Sequence, residues 1–237
     1  MWDDPQALRK LSNALFGVSF VLVVFGVLHF ALHLPLFALR AVRLDAVPQR
    51  VDVAQLESVV HHELRGNFFT VDLERTQREF ARLPWVRKVS VRRHFPWQLD
   101  VELQEQVALA HWNGVQLVNT HGEVFVGETE QALPDFTGPA DAVAEVAQRY
   151  VRFDEMLAPL QQHIAQLNLS PRGAWQVKLQ DGMVLELGRE QMEQRLERFV
   201  AVYPYSLAPL GKRVNYVDLR YRNGFAASLP AAVRGRA

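Results

Sequence analysis

Between Lys10 and Arg40 the chain runs for 29 residues without Asp, Glu, Lys or Arg, and 16 of the 21 residues from Ala14 to Leu34 are Ala, Val, Leu or Phe. At about 1.5 Å per residue, those 21 reach about 30 Å as a helix, the depth of a bilayer's hydrocarbon core. The pattern predicts a membrane-spanning helix over 14–36 and a short cytoplasmic segment over 1–13. A cleaved signal sequence would have an apolar region of only about 7–15 residues and a small-x-small site, and Leu34 to Arg40 offers no such site. Positive charge barely sets direction, because Arg9 and Lys10 precede the span while Arg40 and Arg43 follow it. Length decides instead: a short basic head stays in the cytoplasm and the long remainder is exported. His29 and His33 read as interfacial residues, since a single helix has no second wall along which to build a proton relay.

Past the span, polar and apolar positions alternate imperfectly from Phe37 to Val47, which predicts a first strand. Asp52 can cap a helix with the stripe Val53, Leu56, Val59, Val60 and Leu64, stopped near Gly66-Asn67. Asp72 can cap a second helix carrying Leu73, Thr76, Phe80 and Leu83, ended by Pro84. Val89 and Val91 alternate with Lys88, Ser90 and Arg92, and Leu99, Val101 and Leu103 with Asp100, Glu102 and Gln104. Two half-buried strands follow, one basic and one acidic on the outer face, suited to antiparallel pairing. The order is β-α-α-β-β over 37–105.

Beyond Glu105 the pattern changes to short apolar strands broken by Asn113-Gly114, His121-Gly122, Asp181-Gly182 and Asn223-Gly224, of which Asn-Gly and Asp-Gly suit the positive φ of tight hairpins. Two helical stripes interrupt them: Val143, Val146, Tyr150, Phe153 and Leu157, then Met192, Leu196, Phe199, Val200 and Tyr203. Residues 106–230 therefore read as a mostly antiparallel β-domain with two helices, followed by a small-residue tail over 231–237. The fold class is α+β.

Composition removes whole classes of function. The 237 residues carry 26 basic and 26 acidic side chains and no cysteine. Balanced charge argues against general nucleic-acid binding, which needs a basic surface to displace counterions. Without Cys there is no disulfide, thiolate nucleophile or Cys-ligated zinc. No nucleophile elbow, dinucleotide fingerprint, phosphate loop or H-E-x-x-H pattern occurs. His61-His62-Glu63 is the nearest approach to a metal cluster, but neighbours on a helix point about 100° apart. No carboxylate pair stands out for acid–base work. The run Arg87, Lys88, Arg92, Arg93, His94 reads as a solvated sheet face paired with the acidic strand, the alternative being a surface that touches anionic lipid headgroups or an acidic partner helix. No catalytic constellation, cofactor, metal or small-molecule substrate is expected.

Several segments carry a resemblance. Leu83-Pro84-Trp85-Val86-Arg87-Lys88-Val89-Ser90-Val91-Arg92-Arg93, Phe95-Pro96, Ala110-His111-Trp112-Asn113, Trp175-Gln176-Val177, Leu187-Gly188-Arg189 with Arg195-Leu196-Glu197-Arg198-Phe199, and Tyr216-Val217-Asp218-Leu219-Arg220-Tyr221 occur in that order. Together they resemble the FtsQ/DivIB family of bacterial cell-division proteins, on its FtsQ side. The resemblance implies a single-pass inner-membrane protein whose POTRA domain and β-domain stand in the periplasm. It also implies a non-catalytic scaffold at the division septum, linking early and late division proteins and binding the FtsB and FtsL subcomplex. Within the family the POTRA region is associated with recruitment to the division site.

Carried onto this sequence, the partner contact centres on Arg220, Tyr221, Asn223, Gly224, Phe225 and Ala226. A physical account of that site is available: Asn223-Gly224 would turn a strand over Arg213 to Tyr221 into a last strand, Phe225 to Leu229, stopped by Pro230. A final strand at a sheet edge presents unpaired backbone groups to a partner strand. Arg220 would meet a partner carboxylate, and Tyr221 and Phe225 would supply aromatic anchors. Val217 and Leu219 read as core. Two rivals remain at this point: a POTRA-type component of secretion or outer-membrane assembly, and an anchored peptidoglycan hydrolase.

Overall fold

The computed structural model describes residues 5–32, 37–64, 66–210 and 214–228. The chain divides into two units, Met1–Glu105 and Gln106–Ala237.

Helix α1, Pro5–Leu32, contains the stretch Arg9–Ala31, with a mean hydropathy of 2.4 and none of it buried inside the protein. It begins before the apolar run because Ala7, Leu8, Arg9 and Lys10 are all good helix formers; polarity marks the membrane boundary, whereas propensity marks the helix boundary. Phe16, Phe20, Phe25 and Phe30 are exposed along it. A helix apolar on every side needs a surrounding that is not water. The His29 ring sits 6.2 Å from that of Phe25; His33 and the expected end of the span at 36 lie outside the described residues.

The small domain is built from β1 (Ala41–Leu44), α2 (Val53–Glu63), α3 (Leu73–Ala81), β2 (Val86–His94) and β3 (Gln98–Glu105). Its sheet has the order β1-β3-β2, with β1 parallel and β2 antiparallel to the central strand. Both expected caps form: Asp52 accepts from the Ala54 amide and Asp72 from that of Arg75, each at 2.9 Å. Leu56, Thr76 and Phe80 turn inward over Val89, Val91, Leu99 and Val101, whereas Val53, in the first turn of α2, is exposed.

Three local readings change. The first strand starts at Ala41 rather than Phe37, because Phe37 and Ala38 pair instead with the loop after α2: the Phe68 amide donates to the Phe37 carbonyl, and Ala38 bridges Asn67. Arg93 leaves the basic outer face; strand alternation turns it to the helix side, where its guanidinium donates to the carbonyls of Phe68 and Val71 at 2.8 Å. Across the β2–β3 ladder Arg92 faces Asp100, yet the Asp100 carboxylate lies 3.0 Å from His94. At the end of β3, burial raises the Glu105 carboxyl, but the backbone N–H groups of Arg50, Val51 and Gln49 outweigh it and hold it below the usual range.

Among its described residues the large domain forms one nine-stranded sheet. Its elements are β4 (Ala108–Trp112), β5 (Gln116–Asn119), β6 (Val124–Phe125), β7 (Asp135–Thr137), α4 (Val143–Leu157), β8 (Ile164–Leu169), β9 (Trp175–Leu179), β10 (Val184–Gly188), α5 (Met192–Ser206), β11 (Tyr216–Asp218) and β12 (Ala226–Ser228). The order is β12-β11-β10-β9-β8-β7-β4-β5-β6. Most pairs are antiparallel, but β4–β7, β7–β8 and β10–β11 are parallel. Parallel neighbours need a long crossover, and two of these use the helices: α4 joins β7 to β8, and α5 joins β10 to β11. The β4–β5 turn is a tight hairpin in which Asn113 and Gly114 take φ of 49° and 73°. Along β8 to β11 alternate residues are buried: Leu167, Val177, Leu185 and Val217 pack with Phe153 and Leu157 of α4 and Leu196 and Phe199 of α5 in one core.

Candidate interaction edge

The last two strands decide where this sheet stays open. Helix α5 returns the chain so that β11 joins β10 in parallel, with Leu185 opposite Val217 and Glu186 opposite Asp218. Strand β12 then pairs antiparallel with β11, Tyr216 opposite Ser228 and Asp218 opposite Ala226. Among the described residues β12 is the terminal strand of the sheet, so one row of its backbone groups has no strand partner there. Its residues Ala226, Ala227 and Ser228 are all exposed. Small side chains keep both faces of the strand clear, so another chain can approach the backbone.

The loop 219–225 is held from beneath. Leu219 is buried, and its amide donates to the Glu186 carbonyl at 2.9 Å. Arg198 of α5 donates to the carbonyl of Arg222 at 2.6 Å. The ring of Phe225 lies 5.8 Å from that of Phe199, edge to face, and packs on the core. Tyr221 is 57% exposed. A shallow hollow of about 420 Å³ is lined by Tyr221, Arg222, Asn223, Gly224, Phe225 and Ala226.

Five of the six residues expected at a partner contact, Tyr221, Asn223, Gly224, Phe225 and Ala226, line this hollow and Arg220 does not, with three further departures from the expected geometry. Neither Asn223 nor Gly224 takes a positive φ, so they form no tight hairpin; β11 stops at Asp218 and the connection is a wider loop. It stops there because Arg220 folds back on Asp218: its amide and Nε donate to Oδ1 at 3.0 and 2.9 Å, and its Nη2 to Oδ2 at 2.7 Å. Arg220 therefore spends its fork within the chain. Phe225, expected to be an anchor alongside Tyr221, turns its ring inward, which leaves Tyr221 as the exposed aromatic. Arg213 and Leu229, the expected outer ends of the last two strands, lie outside the described residues.

Hydrogen bonds from Arg220 hold the Asp218 carboxyl below its ordinary value of 3.8, against the smaller opposing effect of burial. A carboxyl with a lowered folded value stabilises the fold above the unfolded value and loses that contribution as pH falls through the folded one. Asp218→Asn is thus expected to melt below the parent at about pH 6, by a margin that shrinks as pH falls below 3.8 and through the lowered folded value. A difference that persists unchanged at the acid end would count against the ion pair.

Sequence reasoning did not assign a role to the support under Arg220. Gly188 ends β10 with φ of 77°, and a Cβ there would stand 2.8 Å from Arg195 Nη1 and 3.1 Å from Arg220 Cγ. Arg195 donates to the Leu187 carbonyl at 2.6 Å. The signal was present as the spacing of Leu187-Gly188-Arg189 and Arg195, but only the packed sheet shows that α5 lays a guanidinium over the strand end. Gly188→Ala is expected to cost roughly 1–3 kcal/mol from its backbone conformation alone, to displace the Arg195 guanidinium and to press on Arg220. The check is a lower melting temperature for the large domain; an unshifted melt would refute the backbone-strain argument.

No group of three or more His, Asp or Glu side chains among the described residues is placed to hold a metal ion. His61 and His62 are exposed near the end of α2, and His62 Nδ1 lies 2.9 Å from the Ser58 carbonyl oxygen.

Two known family models match the chain. A family model for the C-terminal part of the cell division protein FtsQ/DivIB matches residues 110–220, and one for an FtsQ-type POTRA domain matches residues 37–106. The chain belongs to the FtsQ/DivIB family. Cell division protein FtsQ of Nitrosospira multiformis is 42% identical over 96% of this chain and 98% of its own length. The FtsQ proteins of Burkholderia pseudomallei and Bordetella pertussis are 38% and 34% identical, covering 95% and 97% of this chain and 93% of each relative. Family membership makes this a cell-division protein, with a single N-terminal apolar helix, a POTRA domain and a mixed α and β C-terminal domain. The C-terminal family match ends at Arg220, so Tyr221 to Ala226 lie beyond the stretch it covers.

Proposed function

We propose that this FtsQ/DivIB family member is a non-catalytic, single-pass scaffold of the bacterial division machinery, which binds the FtsB and FtsL subcomplex by accepting a partner strand at β12. Its N-terminal segment stays in the cytoplasm, α1 crosses the inner membrane, and the domains at 37–105 and 106–230 stand in the periplasm at the septum. The observation that carries the reading is the conjunction at the C-terminal edge: an unpaired row of backbone groups on a strand of small, exposed residues, next to an exposed tyrosine and an open hollow. Backbone pairing supplies part of the affinity in strand addition, and a flanking aromatic anchor supplies more.

The test is capture of the periplasmic part of FtsB from the same organism by the full chain in lipid nanodiscs. Saturable binding supports the proposal, more firmly if hydrogen exchange slows at Ala226 to Ser228 on binding. Absence of binding by a folded chain overturns it, and binding that leaves exchange in β12 unchanged overturns the placement.

A further inference from the structure

The small domain carries a second exposed feature, remote in sequence from β12. Three segments, Phe37 to Arg40, Gly66 to Thr70 and Arg93 to Gln98, contain no Asp or Glu between them, and the fold gathers them. The Phe68 amide donates to the Phe37 carbonyl at 2.8 Å, the Arg40 amide to the Trp97 carbonyl at 3.0 Å, and Arg93 to the Phe68 carbonyl at 2.8 Å. Their rings form a chain of edge-to-face contacts: Phe37 with Phe69 at 5.0 Å, Phe69 with Phe68 at 5.2 Å, and Phe68 with Phe95 at 6.2 Å. The guanidinium of Arg40 lies 4.7 Å from the centre of the Trp97 ring. Phe68 is buried at the base, whereas Phe95 is 75% exposed and Phe69 43%. The neighbouring carboxylate, Asp100, is held by His94.

Exposed phenylalanines at this density are disfavoured against water, and aromatic rings beside arginines make up the composition that proteins place at a bilayer's headgroup layer. Chain length limits where this patch can be. Residues 33–36 alone separate Leu32, the last residue of α1, from Phe37. Five Cα steps at about 3.5 Å each keep Phe37 within about 18 Å of the helix end. We infer that Phe37, Phe69, Phe95 and Trp97, with Arg40, form a docking surface for the membrane from which α1 emerges, with the rings in the headgroup layer and Arg40 on the phosphates of anionic lipid. Such a contact would fix the tilt of the small domain on its tether. It is separate from the strand-addition reading, since β12 belongs to the other unit, and either can fail alone.

The absence of cysteine gives a direct test. Phe95→Cys and Phe69→Cys each provide a single attachment point for a nitroxide, and Val115→Cys, at a site 87% exposed in the large domain, provides the reference. The full chain is reconstituted into vesicles of phosphatidylethanolamine and phosphatidylglycerol, and collisions with oxygen and with a water-soluble nickel chelate are measured by electron spin resonance. Nickel access at positions 95 and 69 is expected to fall about five-fold or more below that at 115, with oxygen access raised, as for groups at headgroup depth. Arg40→Glu is expected to restore much of the nickel access, and so is replacement of the anionic lipid by phosphatidylcholine. Equal nickel access at all three positions overturns the docking surface. Protection that survives both changes overturns the role given to Arg40 and anionic lipid.

Discussion

Tyr221→Ala is expected to weaken binding of FtsB by about 30-fold, while the melting temperature of the chain stays within about 1 °C of the parent. The fold-change follows from about 2 kcal/mol for a central aromatic anchor at a factor of ten per 1.4 kcal/mol. The unchanged stability follows from the position of the ring: Tyr221 is more than half exposed and follows Arg220, whose fork is already held by Asp218. Phe225→Ala makes the control. Its ring is half-buried against Phe199, so that substitution is expected to lower both binding and melting temperature. Titration calorimetry with the FtsB fragment, beside thermal unfolding of each variant, separates the two. Full affinity in Tyr221→Ala would remove Tyr221 from the interface, and a substantial fall in its melting temperature would show that the ring supports the fold instead.

The second large effect falls on stability. Phe199 is 1% exposed on the inner face of α5 and contacts the rings of Tyr203 at 5.2 Å and Phe225 at 5.8 Å. Phe199→Ala removes a fully buried ring and leaves a cavity in the core, which costs about 3–5 kcal/mol. For a domain of this size that is a fall of roughly 10–20 °C in melting temperature. Because α5 is the crossover between β10 and β11, loosening it also loosens the strand on which β12 depends. Scanning calorimetry should show the large domain's transition moving down while the small domain's transition stays in place. A shift under about 3 °C would mean that the site collapses far better than buried aromatic sites usually do. A joint shift of both transitions would mean that the two units unfold together.

Phe199 and Tyr221 also show where sequence reasoning reached and where it stopped. Phe199 was legible as core because its 3.6-residue stripe with Leu196, Val200 and Tyr203 admits one inward face. The caps at Asp52 and Asp72 were legible because a short acidic side chain before an amphipathic run has one local use. The edge was legible only in part. Val217 and Leu219 alternate as buried strand residues should, and a last strand could be expected after them. Yet Phe225, read from the sequence as an aromatic anchor, is half-buried against Phe199 while still lining the hollow, and Asn223-Gly224, a tight-turn signal, makes no tight turn. Phe225 packs on Phe199 and the Arg222 carbonyl accepts from Arg198, both contacts with α5, while Arg220 closes locally onto Asp218.

The sequence by itself determined the apolar span, the periodicities of strands and helices, the two helix caps, the absence of cysteine chemistry and the ordered motifs that identify the family. Each is local, or depends on composition or a short pattern, and survives without knowledge of distant contacts. The order of nine strands, the three parallel joins, the inward turn of Arg93 and Phe225, and the meeting of 37–40, 66–70 and 93–98 in one aromatic patch were decided by the tertiary structure. The physical reason is that strand neighbours are chosen by burying one shared apolar face. Many pairings of short alternating strands satisfy the local pattern, and only the packed core selects among them.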